Sequence, residues 1–132
     1  MVKKAFSISV LALLCGCAMQ GPTSAPPSTP VFFKPDSAAL DPAAQKTIEL
    51  FAQAANAKPT APVTVVGTTE DKGDTGHTNA LSEQRAQAVA AQLVADGVDK
   101  SRLRIYGSGA VDKARGLNKA QGARRVLLSI GD

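Results

Sequence analysis

A chain of 132 residues with a formal net charge of +4 and 4% aromatic residues is long enough for one small domain and too short for several. Its two cysteines, Cys15 and Cys17, lie almost side by side near the N-terminus, which excludes a disulfide framework. The first predicted element is a leader. Lys3 and Lys4 precede an apolar run over residues 5–14, and Leu14-Cys15-Gly16-Cys17 follows. A charged start, a short apolar stretch and a small residue before a cut form the pattern of a secretory signal peptide, and the run is too short to span a membrane.

Gly16 directly before Cys17 resembles the lipobox of bacterial lipoproteins. That resemblance implies cleavage before Cys17, diacylglycerol on its sulfur and an acyl group on the new amine. Several acyl chains on one residue make a stable anchor where a single chain holds only weakly. Leu14 is too bulky for the same cut before Cys15, so Cys15 is expected to leave with the leader. Removal of residues 1–16 takes away Lys3 and Lys4 and lowers the net charge to +2. No thiol pair then remains for a disulfide or a metal site. Residues 17–30 are the lipidated cysteine and a tether: Pro22, Pro26, Pro27 and Pro30 are interspersed with Gly, Ser and Thr, with no large hydrophobe from Gly21 onward. At about 3.1 Å per residue in an extended proline-rich chain, such a leash reaches on the order of 40 Å.

Residues 31–132 are then one domain. Val31-Phe32-Phe33 reads as a short strand. Asp41-Pro42 supplies an N-cap and a first-turn proline, and Ala44, Ile48, Phe51 and Ala55 place one apolar face on a helix that ends near Lys58-Pro59. Residues 63–66 read as a strand and residues 81–96 as a helix closed by Gly97, with strands at 103–106 and 125–130. The order β-α-β-α-β-β predicts an α/β (α+β) domain, a small mixed sheet with helices packed on one face.

Glu70 falls where the second strand should end, and Arg85, fifteen residues later, falls on the apolar stripe formed by Leu81, Val89 and Leu93. A guanidinium on an apolar face is paired or snorkels to solvent. Two readings stand open: an ion pair with Glu70 or Asp71 that holds the fold, or an acid and a guanidinium that converge on one zwitterionic ligand.

The run Gly67-Thr68-Thr69-Glu70, then Gly73, then Thr78-Asn79-Ala80-Leu81-Ser82-Glu83-Gln84-Arg85-Ala86 resembles the motif of the OmpA-like peptidoglycan-binding domain, Gly-His-Thr-Asp followed by Asn-x-x-Leu-Ser-x-x-Arg-Ala. The similarity extends to residues 31–37, to Gly97-Val98, Ser101-Arg102-Leu103 and Tyr106-Gly107, and to Arg124-Arg125-Val126, about the whole domain. It implies noncovalent binding of the cell wall from the periplasmic side, without catalysis and without a cofactor. It also implies that Glu70 and Arg85 hold the amine and carboxylate of diaminopimelate in the peptidoglycan stem, with Asp36 near the ligand and Thr69 and Asp71 at the loop edge. For Asp36 a plain turn role is the alternative.

The chain departs from the family pattern in four places. Glu70 stands for aspartate, Thr68 for histidine, and Thr78 for asparagine, with Asn79 one place late and expected to cap the second helix. The stretch between Ser108 and Ala123 is also shorter than the family's loop, which implies one wall contact fewer.

Other chemistry is thin. His77, the only histidine, reads as a solvated loop residue without a second metal ligand at suitable spacing. Gly107-Ser108-Gly109 reads as a turn and not as a phosphate loop, and Ser82 has no base near it in sequence. From Lys100 onward eight basic residues face Asp112 and Asp132. Such an excess attracts anionic polymers, but export and a single nearby aromatic, Tyr106, exclude nucleic acid as the partner.

The sequence is therefore read as an outer-membrane lipoprotein whose domain faces the periplasm, with peptidoglycan, the membrane and other envelope proteins as partners. The alternative is a degenerate domain acting as a structural part of an envelope secretion or conjugation complex.

Overall fold

A computed structural model describes residues 28–70, 73–110 and 123–131. The leader, Cys17, most of the tether, Asp71 and the shortened 111–122 loop lie outside the described residues. The elements follow the predicted order: β1 (Thr29–Phe32), α1 (Pro42–Asn56), β2 (Val63–Thr69), α2 (Thr75–Ala95), a 3-10 turn (Lys100–Arg102), β3 (Leu103–Ala110) and β4 (Arg125–Ile130). They form one mixed sheet in the order β1-β4-β2-β3. The parallel neighbours β2 and β3 are joined through α2, and β4 lies antiparallel between β1 and β2.

α1 starts and ends where its sequence punctuates it. The Asp41 carboxylate accepts from the Ala44 amide at 2.7 Å, and Pro42 opens the first turn, where its missing N–H is not needed. Ala44, Ile48, Phe51 and Ala55 are buried as their spacing requires, together with Ala52. α2 ends in a Schellman motif: Gly97, at φ +99, donates to Val94 and Val98 donates to Leu93.

Boundaries differ from the sequence reading in several elements, and β2 runs on to Thr69, three residues past Val66. β1 begins at Thr29, two residues into the stretch assigned to the tether, and an edge position tolerates Pro30. α2 begins six residues before Leu81, and its cap is Asp74, whose carboxylate accepts from the His77 amide at 3.1 Å; Asn79 is inside the helix. His77 is accordingly an exposed first-turn residue of a helix and not a loop residue. β3 runs on through Gly107-Ser108-Gly109, which is strand and not turn.

The core is the helix-facing side of the sheet: Val31, Val63, Val65, Val126 and Leu128 meet Ile48, Phe51 and Ala55 of α1 and Ala86, Val89 and Leu93 of α2. α2 sits unusually low at one end. A Cβ on Gly67 would overlap the Ser82 carbonyl oxygen, and one on Gly107, its cross-strand partner, would stand 2.9 Å from the backbone nitrogen of Glu83. This glycine pair lets the N-terminal half of α2 rest directly on β2 and β3. The Ser82 hydroxyl fastens that contact, accepting from the Gly109 amide at 3.0 Å and donating to the Asn79 carbonyl at 2.8 Å. Among the described residues no helix is long and apolar enough to cross a membrane.

Candidate functional site

The low seat of α2 fixes where Arg85 goes. It lies one turn beyond Leu81, on the same buried stripe, and is itself fully buried at 0% exposure. Its guanidinium passes under the turn that follows β1 and reaches the end of β2. Nε donates to the Ser37 carbonyl at 2.8 Å, Nη2 to the Lys34 carbonyl at 3.1 Å and Nη1 to the Thr68 carbonyl at 3.2 Å. Cζ lies 5.3 Å from the centre of the Phe33 ring, within range of a cation–π contact.

A guanidinium has five N–H donors. Three are bound to main-chain carbonyls, and two remain for another acceptor. Burial pulls the Arg85 pKa down from its ordinary value and Arg124 adds to this, while Glu70 and then Asp36 act in the opposite sense. The two acids are therefore near enough to support the charge.

Glu70, at the end of β2, forms its ion pair with Arg124 rather than with Arg85, Oε2 to Nη1 at 3.3 Å, with both side chains mostly buried. Arg124 also donates from Nε to the Phe33 carbonyl at 3.3 Å. The structure thus gives the fold-holding role of Arg85 a different form from an acid–base pair, namely a clamp on three carbonyls. The local ion pair belongs to Glu70 and Arg124.

Asp36 is in the turn closed by the Ser37 amide on the Lys34 carbonyl, after Pro35, with φ +50, a left-handed conformation that aspartate tolerates better than most residues. Its Oδ1 stands 3.9 Å from Nε2 of His77 in the first turn of α2. The turn carrying Asp36 and the start of α2 carrying His77 therefore face each other. Thr69 is buried at 2% exposure. Thr68, where the family motif has histidine, is buried too, and its hydroxyl is directed at the Ala123 carbonyl at 2.7 Å and the Arg125 carbonyl at 3.1 Å, tying β2 to the start of β4.

Sequence reasoning missed two arginines. Arg124, which the sequence offered only within the Arg124-Arg125-Val126 similarity, is half-buried, as is Arg125. Only the family's paired arginines hinted at its place beside Glu70. Arg102 donates to the Ala55, Lys58 and Ala61 carbonyls at 2.7–2.9 Å, closing the end of α1 and the loop after it. No local pattern announced either contact. The Ser82 hydroxyl is engaged at both ends and has no histidine partner among its hydrogen bonds. Among the described residues no group of three or more His, Cys, Asp or Glu side chains is arranged to hold a metal ion.

The model of the OmpA family matches residues 32–126. The chain belongs to the OmpA family. It is 35% identical over 103 residues to the probable lipoprotein YiaD of Escherichia coli, an alignment covering 76% of this chain and 47% of that protein. It is 37% identical over 97 residues to the peptidoglycan-binding protein ArfA of Mycobacterium bovis, covering 73% and 30%. Its fold superposes on the crystal structure of the peptidoglycan-associated lipoprotein from Burkholderia pseudomallei with a TM-score of 0.70 at 25% identity, covering 76% of this chain and 88% of that one. The chain spans about half, or less, of the curated relatives it matches.

Proposed function

We propose that this OmpA-family chain binds peptidoglycan noncovalently and, anchored by lipid at Cys17, holds the outer membrane to the wall through the diaminopimelate of the stem peptide. The observation that carries this reading is the surplus on Arg85: a buried guanidinium with two donors beyond the three its carbonyls take. One N–H is left on each of Nη1 and Nη2, and charged N–H donors bond strongly to a carboxylate. The amino-acid centre of diaminopimelate pairs that carboxylate with an ammonium, for which Glu70 and Asp36 are the acceptors, with Thr69 and Asp71 at the edge. Arg124 holds Glu70 in place, so the carboxylate is oriented before the ligand arrives. A longer side chain than aspartate then costs little in lost freedom. The relative named as peptidoglycan-binding and the structure named as a peptidoglycan-associated lipoprotein support the same ligand.

The site as proposed binds and does not react. The buried Ser82 hydroxyl is bound at both ends, and the diaminopimelate contacts require no bond to break. Purified sacculi should pellet the protein from solution, and Glu70→Ala should weaken that pelleting. A wild-type protein that stays in the supernatant would overturn the reading. A second reading, a domain that has lost the wall ligand and serves as a structural part of an envelope complex, is favoured by the complete burial of Arg85 and the engagement of Glu70 by Arg124. It predicts cross-links to envelope proteins that persist in wall-free preparations and after Glu70→Ala.

A further inference from the structure

Strands send alternate side chains to opposite faces, and the helices cover one face of this sheet only. On the other face the register sets Pro30, Leu127, Val66 and Tyr106 side by side in a row that crosses all four strands. Phe32 pairs with Arg125 in the next row, and Arg104 pairs with Thr64 in the row on the other side. Tyr106 is 53% exposed and Phe32 38%, Arg104 is exposed, and Val66 and Leu127 are half-covered. No strand position on this face carries a carboxylate. An apolar row with aromatic side chains at its margins and arginines beside it is the composition of a surface that rests at a membrane–water interface. There, amphipathic rings sit at headgroup depth and cations meet lipid phosphates.

We propose that the helix-free face of the sheet docks on the anionic lipid surface of the membrane that carries the anchor. This rests on the membrane-anchored reading given above. The entry of the chain supports this occupant: β1 begins at Thr29, and its second residue, Pro30, already belongs to the face. The stretch from Cys17 to the start of β1 is twelve residues, no more than about 40 Å when fully extended, so an anchored domain stays within reach of the bilayer. The exposed Arg104, with the half-buried Arg125 beside Phe32, chooses the lipid, because exposed cations gain from anionic headgroups and little from zwitterionic ones. Glu70, Arg85 and Arg124 lie at the end of β2 and the start of β4, at the rim of the sheet and not in the middle of this face, so a docked domain still presents them to the wall.

The sequence contains no tryptophan, so a single substitution makes a unique emitter. The full chain with Cys15→Ser is coupled through Cys17 to a thiol-reactive lipid in vesicles, which supplies an anchor whether or not the cell does. Tyr106→Trp reports on the proposed face and Leu50→Trp, on the exposed side of α1 at 54% exposure, on the opposite side. In vesicles of phosphatidylglycerol with brominated phosphatidylcholine, Tyr106→Trp emission should shift to the blue and be quenched, while that of Leu50→Trp should not. Without phosphatidylglycerol the quenching should disappear, and adding Arg104→Glu should lower the docked population about tenfold or more. Phe32→Trp, as a second reporter on the same face, should behave like Tyr106→Trp. Equal quenching at positions 50 and 106, or none at 106 and 32 in anionic vesicles, would overturn the proposal. The anchor is judged separately, by incorporation of labelled palmitate that Cys17→Ala abolishes, so the two can fail independently.

Discussion

Replacing Arg85 with alanine removes three hydrogen bonds at once, to the carbonyls of Lys34, Ser37 and Thr68. Bonds from a charged donor contribute about 1.5–3 kcal/mol each, and a buried carbonyl left without a donor costs about 1–3 kcal/mol. Against this, the mutant no longer has to bury a guanidinium, whose lowered pKa shows that burial opposes the charge, and water entering the space reaches some of the carbonyls. The balance is a loss of about 3–5 kcal/mol, a large part of the 5–15 kcal/mol that holds a typical domain together. Urea unfolding followed by circular dichroism measures it as a fall in the midpoint at unchanged slope. Arg85→Lys should recover only a minor part, because a single ammonium cannot reach three carbonyls in the plane of a guanidinium. A loss of less than about 1 kcal/mol for Arg85→Ala would refute the clamp. The clamp also governs how wall binding is tested: failure to pellet after Arg85→Ala would report lost fold support as well as the loss of the proposed ligand donor.

Gly67→Ala places a methyl group on the Ser82 carbonyl and must lift α2 from the sheet, which should destabilise the domain by about 1–3 kcal/mol or more in the same unfolding assay. Ser82→Ala strands the Gly109 amide and should cost about 1–3 kcal/mol, whereas an exposed change such as Gln84→Ala should stay within about 0.5 kcal/mol. The Asp99 carboxylate is held below its ordinary pKa, first by the Ser101 amide and then by the Ser101 hydroxyl. Its contribution is therefore present above the ordinary aspartate range and is lost as pH falls through the lowered value. A carboxylate titration by NMR should find Asp99 ionised at a pH where a free aspartate is already half protonated.

Much of this fold was legible in the sequence wherever local chemistry decided it. Asp41-Pro42 and Lys58-Pro59 bracket α1 because cap and proline effects act within a few residues. The start of α2 was not legible, since Thr75, Gly76, His77, Asn79 and Ala80 are all exposed and only Thr78 is buried, so no apolar period marks the first turns. Gly107-Ser108-Gly109 read as a turn because glycine usually marks one, whereas here Gly107 is set by the backbone of Glu83 lying above it. In the candidate site, spacing and motif located Glu70, Arg85 and Asp36, but not what each touches. The partners of Arg85 are carbonyls up to 51 residues away, and main-chain acceptors leave no trace in residue type. The Glu70 partner, Arg124, is 54 residues distant, in a segment whose placement depends on β4 inserting between β1 and β2.

The central claim is that a carboxylate and an ammonium on one carbon of the stem peptide are read by Arg85 and by Glu70 with Asp36. Changing the ligand tests this without touching the fold. Lysine in place of diaminopimelate keeps the ammonium and removes the carboxylate. In parallel sedimentations of the wild-type protein, diaminopimelate-type sacculi should carry it into the pellet and lysine-type sacculi should leave it in the supernatant. Equal pelleting with both walls, or with neither, would contradict the account.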